Sequence, residues 1–197
     1  MNYPARTGNG LDPLLLPAPI SRRQFLRRTS ALAAGALLLP AGPSAAGLLS
    51  GTQTLKLSNV HTGEVLELRG RPDRDYDRAT RLQFSNLLRD HHADEMREMD
   101  PALIDIFFAL AAVTGSEGPF EILSGYRSPE TNSWLRSHHR GVAEHSMHIE
   151  GKAVDIRMER VSTRQVRAAG LALAMGGVGY YPRSNFVHLD TGSIRTW

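Results

Sequence analysis

The stretch from Ser146 to Asp155 places an imidazole, His148, and a carboxylate, Asp155, seven positions apart. Gly151 lets the chain turn between them, and the alternating run from Gly151 to Arg157 projects Asp155 from one face of a strand. An imidazole nitrogen and a carboxylate oxygen suit zinc, which takes such ligands at roughly 2.0–2.2 Å and in catalytic sites keeps three protein ligands and one open position. The pair alone is also what any loop histidine near an aspartate would give. Other chemistries are excluded more firmly. The chain has no cysteine, so it has no disulfide, thiolate ligand, cysteine nucleophile or lipoprotein anchor. It has no Gly-x-Ser-x-Gly elbow, and Ser128 and Ser146 lack Asp/His support of their own. The glycine-rich run from Gly176 to Gly179 lacks the following helix and downstream acid of a dinucleotide site. His91-His92 and His138-His139 read as exposed loop pairs, and with His61 they give no reason to expect a second metal.

The elements that must position these groups follow from pattern. Residues 54–60 and 64–68 alternate in polarity around His61-Thr62-Gly63, a β-hairpin. Arg69 to Ala79 reads as a loop, Thr80 to Leu88 as a short helix with Leu82, Phe84 and Leu87 inward, and Asp90 to Glu98 as a surface segment. Asp100-Pro101 is a helix start, and the apolar helix that follows ends near Gly115. Phe120 to Ser124 is a strand entering a turn, Gly125 to Pro129. A short helix is expected over Thr131–Arg136, with a polar loop from His138 to Gly141. Ser162 caps a helix reaching about Ala174, and Gly176–Tyr180 and Phe186–Asp190 are two last strands. Mixed order without regular βαβ alternation predicts an α+β fold.

The chain carries 23 basic and 20 acidic residues over 197 positions, a net charge of +3. Five arginines and one acid, Asp12, lie in residues 1–46, so the remainder holds 18 basic against 19 acidic residues. The basicity belongs to the leader. With only Lys56 and Lys152 for lysines, no phosphate-tracking patch and no nucleic-acid partner is expected. In the leader, Arg22-Arg23-Gln24-Phe25-Leu26 precedes an apolar run, Ala31 to Pro40, and then small residues to Ala46. A positive region, a short apolar region and a small-residue cut site make a secretory signal. The paired arginines resemble a twin-arginine signal, whose export machinery would be a partner. The apolar run is well short of the ~20 residues of a spanning helix. The expected division is residues 1–46 as signal, cut after Ala46, and residues 47–197 as one domain in the periplasm, with no stable membrane span after cleavage.

The Ser-x-His-x-x-Gly-x-Ala-x-Asp pattern at 146–155 resembles the motif of the M15 peptidases, the D-Ala-D-Ala metallopeptidase group. Ser124 to Ser128 is similar to that family's Tyr-Arg turn, and Gly176 to His188 resembles its YcbK-like, or MepK-like, branch. The resemblance spans nearly all of residues 53–197. It implies a small antiparallel sheet with flanking helices, as in Hedgehog-type domains. It also implies zinc held by His148, Asp155 and His188, with Arg127 reaching the substrate near the metal. Zinc polarises a scissile carbonyl and makes hydroxide available at neutral pH, while Arg127 would steady the oxyanion or hold a substrate carboxylate. Many relatives carry an acid three residues before the last histidine, where this chain has Asn185. Asp190, two residues after His188 and on the same strand face, is then the expected base or the partner that orients His188. Glu144 and His145 are the other candidates. The expected activity is hydrolysis of peptide cross-links in peptidoglycan by a zinc metalloprotease, including links between two meso-diaminopimelate residues. The alternatives are a D,D- or L,D-carboxypeptidase on wall peptides and a zinc-holding module that binds wall without cleaving it.

Overall fold

The computed structural model describes residues 53–70, 76–116, 118–139 and 141–197. The expected signal at 1–46 lies outside them. Strands β1 (Gln53–Asn59) and β2 (Val65–Gly70) form the hairpin, with Gly63 at φ 73° in the turn. Helix α1 (Arg78–Leu87) starts earlier than its apolar pattern suggests, because Asp77 accepts from the Thr80 amide at 2.7 Å and caps it. Phe84 and Leu87 are buried as expected, whereas Leu82 faces solvent. Asp90 is also unlike its expected surface segment, being almost wholly buried.

Helix α2 (Ala102–Thr114) begins where Asp100 accepts from the Ala102 amide and ends at left-handed Gly115. It buries Leu103, Ile104, Ile106, Phe107, Phe108 and Leu110, as a helix apolar on all sides must. Phe107 meets Phe84 and Phe120 edge to face at 6.0 and 5.0 Å. Strand β3 (Phe120–Ser124) leads to helix α3 (Pro129–His138), which is longer than predicted because Ser128 caps it and Pro129 fits its first turn. His138 thus lies in the helix and not in a loop. Strand β4 (Ala153–Met158) precedes helix α4 (Thr163–Leu173), opened by a Ser162–Gln165 capping box. Strands β5 (Gly177–Tyr181), β6 (Phe186–Asp190) and β7 (Arg195–Thr196) follow, the last one unforeseen.

Among the described residues, seven strands make one sheet in the order β2-β1-β3-β4-β6-β5-β7. The fold is α+β as expected, and the sheet is mixed: β1–β3 and β5–β7 pair in parallel, while the other four neighbouring pairs are antiparallel. Because side chains alternate along a strand, Val154, Ile156, Val187 and Leu189 enter the helix-covered core. Asp155, His188 and Asp190 stand on the opposite face. Among the described residues no helix is long and apolar enough to cross a membrane.

Candidate metal centre and active site

Register brings the first two groups together. β4 pairs antiparallel with β6 so that Asp155 lies directly opposite His188 and Ala153 opposite Asp190. Side chains in such pairs are close neighbours on one face, and His188 Nδ1 sits 2.9 Å from Asp155 Oδ1. On the other side of β4, the β3 ladder slips between Ile122 and Ser124, so Ser124 pairs with Asp155. The slip turns Ser124 away from the core face that Phe120 and Ile122 occupy, and its hydroxyl accepts from Arg127 Nη2 at 3.1 Å.

His148 reaches the same point from a tight turn. Ile149 and Gly151 donate their amides to the Ser146 and His148 carbonyls at 3.0 and 3.2 Å. Gly151 sits at φ 70°, and a Cβ there would come 2.8 Å from the Glu98 carbonyl oxygen, so the position needs glycine twice over. His148 Nδ1 donates to the Gly125 carbonyl at 2.7 Å, which leaves Nε2 as the acceptor aimed at the cluster. Gly125 can present that carbonyl because it has no side chain; a Cβ would collide with Leu88.

His148 Nε2 lies 3.1 Å from His188 Nδ1 and 3.3 Å from Asp155 Oδ1. The three ligand atoms are all within 4.8 Å of one another and all three residues are buried. His188 Nε2 faces Asp190 Oδ2 at 3.1 Å and therefore carries the proton, so Nδ1 is also an acceptor. Three acceptors converging at about 3 Å repel one another unless a cation or an extra proton lies among them. This donor set, two imidazole nitrogens and a carboxylate, fits a zinc ion. The electrostatics carry the same imprint. Burial would lower the His188 pKa, but its bonds to Asp155 and Asp190 outweigh that and push it up to about 9. Burial would raise Asp155, yet the two imidazoles hold it well below the carboxylate range. Burial keeps His148 below the ordinary imidazole value.

Asp190 does not sit where a base must. It is fully buried on the far side of His188 from the cluster, and both its oxygens are engaged. Arg195 grips it bidentately at 3.0 and 2.7 Å, and the Gly177 and Gly192 amides donate at 3.2 and 2.8 Å. That arrangement fits the orienting role and gives the base role no path to water. Arg127 places Nη2 3.5 Å from Asp155 Oδ2, and its guanidinium lines a cavity of about 500 Å³ over the cluster. Burial lowers its pKa, though a guanidinium keeps its charge at any working pH. Glu144 is exposed and paired with Arg136 at 3.0 Å, whereas His145 lines the cavity. Asn185 adopts φ 54°, a left-handed turn position that asparagine tolerates better than an acid-bearing glutamate would. His61 stacks on His91 at 3.9 Å, and His92 lies tilted against His91 at 4.1 Å, beside a second cavity; no second three-ligand group occurs among the described residues.

Pattern reading missed Arg195, Trp197 and Tyr181, which complete the site. A signal existed: Gly177 and Gly179 share one strand face, and strand glycines mark close approach by something else. A Cβ at 177 would come 2.6 Å from Arg195 Nη1, and one at 179 would come 2.7 Å from the Trp197 ring.

The sequence model of a peptidase family, described as "Peptidoglycan L,D-endopeptidase MepK", matches residues 48–197. Among curated relatives, the "Peptidoglycan L,D-endopeptidase MepK" of Escherichia coli (strain K12) is 38% identical over 177 residues, 90% of this chain and 97% of the relative. The Shigella flexneri protein of the same name matches equally. The "Probable peptidoglycan L,D-endopeptidase MepK" of Haemophilus influenzae is 36% identical over 167 residues, 84% of this chain and 90% of the relative. No solved structure gives a significant match.

Proposed function

The chain belongs to the M15 peptidase family described as peptidoglycan L,D-endopeptidase MepK, and from that premise we propose that it is an exported, zinc-dependent endopeptidase that hydrolyses peptide cross-links of peptidoglycan, including those between two meso-diaminopimelate residues. The observation that carries this reading is the convergence of His148 Nε2, Asp155 Oδ1 and His188 Nδ1 in the lining of a cavity with a partly buried arginine beside them. His148, Asp155 and His188 hold the metal, which when bound supplies Lewis acidity for the scissile carbonyl and for water.

The other roles belong to the chain. Arg127, fixed by Ser124 and Asp155, presents fork-shaped donors to charge that develops on the carbonyl oxygen. Asp190 keeps the proton of His188 on Nε2, and Arg195 with two backbone amides keeps Asp190 ionised and in place. The general base falls to His145, the one of the three candidates on the cavity wall; loss of one limb of the pH–rate profile in His145→Ala is the expected signature. Residues 1–46 serve as a twin-arginine signal and residues 47–197 as the enzyme in the periplasm. Replacement of Arg22 and Arg23 by lysine should leave the protein in the cytoplasm.

Digestion of purified murein sacculi with the mature domain, with and without chelator, tests the function. Cross-linked muropeptides should disappear, with products of matching mass, only when metal is present. Release of single terminal residues from linear stems would instead mean a carboxypeptidase, and binding to sacculi without any product would mean a wall-binding module.

A further inference from the structure

Trp197 is 48% exposed, yet its indole is held on several sides. Nε1 donates to the Tyr181 hydroxyl at 2.8 Å. The Arg195 guanidinium lies 5.0 Å from the ring centroid. The ring rests on Gly179, where a Cβ would come within 2.7–2.9 Å of Cε2, Cζ2 and Nε1. The backbone is fixed as well, because the Trp197 amide donates to Val178 at 3.3 Å and its carbonyl accepts from Tyr180 at 3.0 Å. An indole left half in water is normally free to change rotamer; this one is built into the sheet edge.

Its location gives that rigidity a purpose. The Trp197 ring centroid is 5.2 Å from that of His188, and the ring lines the cavity that holds the metal cluster. Tyr181 and Phe186 line the same cavity and stack on each other at 4.5 Å. One wall beside the cluster is therefore aromatic, with the Arg195 guanidinium against its indole, while Arg127 and Asp155 bring charge to the lining at the cluster itself. A chain in extended form advances about 3.3–3.6 Å per residue. A peptide with its scissile bond at the cluster thus sets the side chain of a flanking residue against Trp197. An indole face packs well on C–H groups, and the cation this ring can take is already supplied by Arg195 at 5.0 Å.

We propose that Trp197 is a specificity-determining residue whose exposed face packs the aliphatic part of the substrate residue flanking the scissile bond, an unbranched methylene chain or a methyl group. Tyr181, Gly179 and Arg195 are positioning residues for that ring. The inference rests on the endopeptidase reading above and narrows it to a substrate class at one subsite.

The test compares wild type, Trp197→Phe and Trp197→Ala, each supplied with zinc, on a purified cross-linked muropeptide and on a synthetic analogue with glycine at the flanking position. Zinc content is measured for each protein. On the muropeptide, Trp197→Ala should raise KM by roughly tenfold or more, the scale of a lost apolar contact, with kcat and zinc content within about twofold of wild type. Trp197→Phe should fall between, and the difference should shrink on the glycine analogue. An unchanged KM overturns the proposal, as does an equal loss on both substrates or a loss of zinc, either of which would mean that the ring only supports His188. A wild type without activity on the muropeptide would sink the endopeptidase reading instead. A readout independent of those variants uses Trp134→Phe, which leaves Trp197 as the sole tryptophan of the two in the chain. Titration with the cleaved stem peptide should shift its fluorescence saturably, and an unresponsive spectrum counts against contact.

Discussion

Two aspartates show how a single carboxylate is assigned its work by its surroundings. Asp190 shares a strand face with His188, which by itself allows either proton transfer or orientation. Its complete burial and five donated bonds leave orientation. Asp190→Asn keeps the shape but turns an amide toward groups that already donate. Zinc affinity should fall by about 10–100-fold, measured by competition with a chromophoric chelator. Asp90 is used differently. It accepts from the Ser128, His92 and Ala93 amides at 2.8, 2.9 and 3.4 Å and so ties the turn after α1 to the start of α3. Burial pushes its carboxyl up, but the bonds from Thr131, Ser128 and His92 prevail and hold it below the ordinary value. A depressed folded pKa gives stability that is complete above the unfolded value, about 3.9, and is lost as pH falls through the folded one. Asp90→Ala should cost about 1–3 kcal/mol at neutral pH through unsatisfied amides and weaken the acid-side decline. Urea unfolding at pH 7 and pH 3 checks both.

Elements matter here for what their ends deliver. The β3–α3 connection delivers the Gly125 carbonyl to His148, Arg127 to the cavity and Ser128 to the cap of α3. Gly125→Ala would press its methyl into Leu88, whose Cβ lies 2.7 Å away from it, and the carbonyl would have to move. We expect a loss of about 1–3 kcal/mol in stability from overpacking together with weaker zinc binding. Ser162→Ala removes the capping box of α4 on the other side of the sheet. It should cost about 1 kcal/mol while zinc affinity and kcat/KM stay unchanged. Thermal unfolding and metal titration on the pair separate damage to the site from damage to the scaffold. Legibility at this scale was good where one stretch of chain holds the whole signal. The Asp100-Pro101 start, the Gly115 stop and the Ser162 cap are local contacts within a few residues, and the helices they bound were readable. Apolar spacing gives no weight to Asp77 and so starts helix α1 two residues late, and periodicity alone points Leu82 inward where the fold exposes it.

At the scale of the whole molecule, one sheet face is filled by helices and the other carries the acceptors. Among the described residues, the β4–β6 pairing places Asp155 and His188 side by side across 33 residues of chain, and the turn at 146–151 brings His148. Three acceptors forced together by the fold oppose it electrostatically until a proton or a metal cation lies between them, and a divalent ion offsets more of that repulsion than one proton, so metal should stabilise the domain as well as activate it. A ligand at 100 times its Kd adds about 2.7 kcal/mol. For a domain of this size that corresponds to roughly 5–10 °C in Tm. Chelation should lower the midpoint by that much and zinc should restore it, in a calorimetric scan. A midpoint indifferent to chelator would mean that the three groups do not bind metal in the folded protein.

Composition and local pattern settled the absence of thiol chemistry, the hairpin, the central apolar helix and the segments bearing the two histidines and the aspartate, because each depends on residues adjacent in the chain. The geometry around them depended on pairing across distance. Whether Asp190 faced the cavity or the back of His188, whether Arg195 would reach it, and what Gly177 and Gly179 made room for were decided by register and by a short parallel strand too brief to leave a periodic trace. A two-residue strand carries no hydrophobic alternation of its own; only the neighbour it docks against defines it.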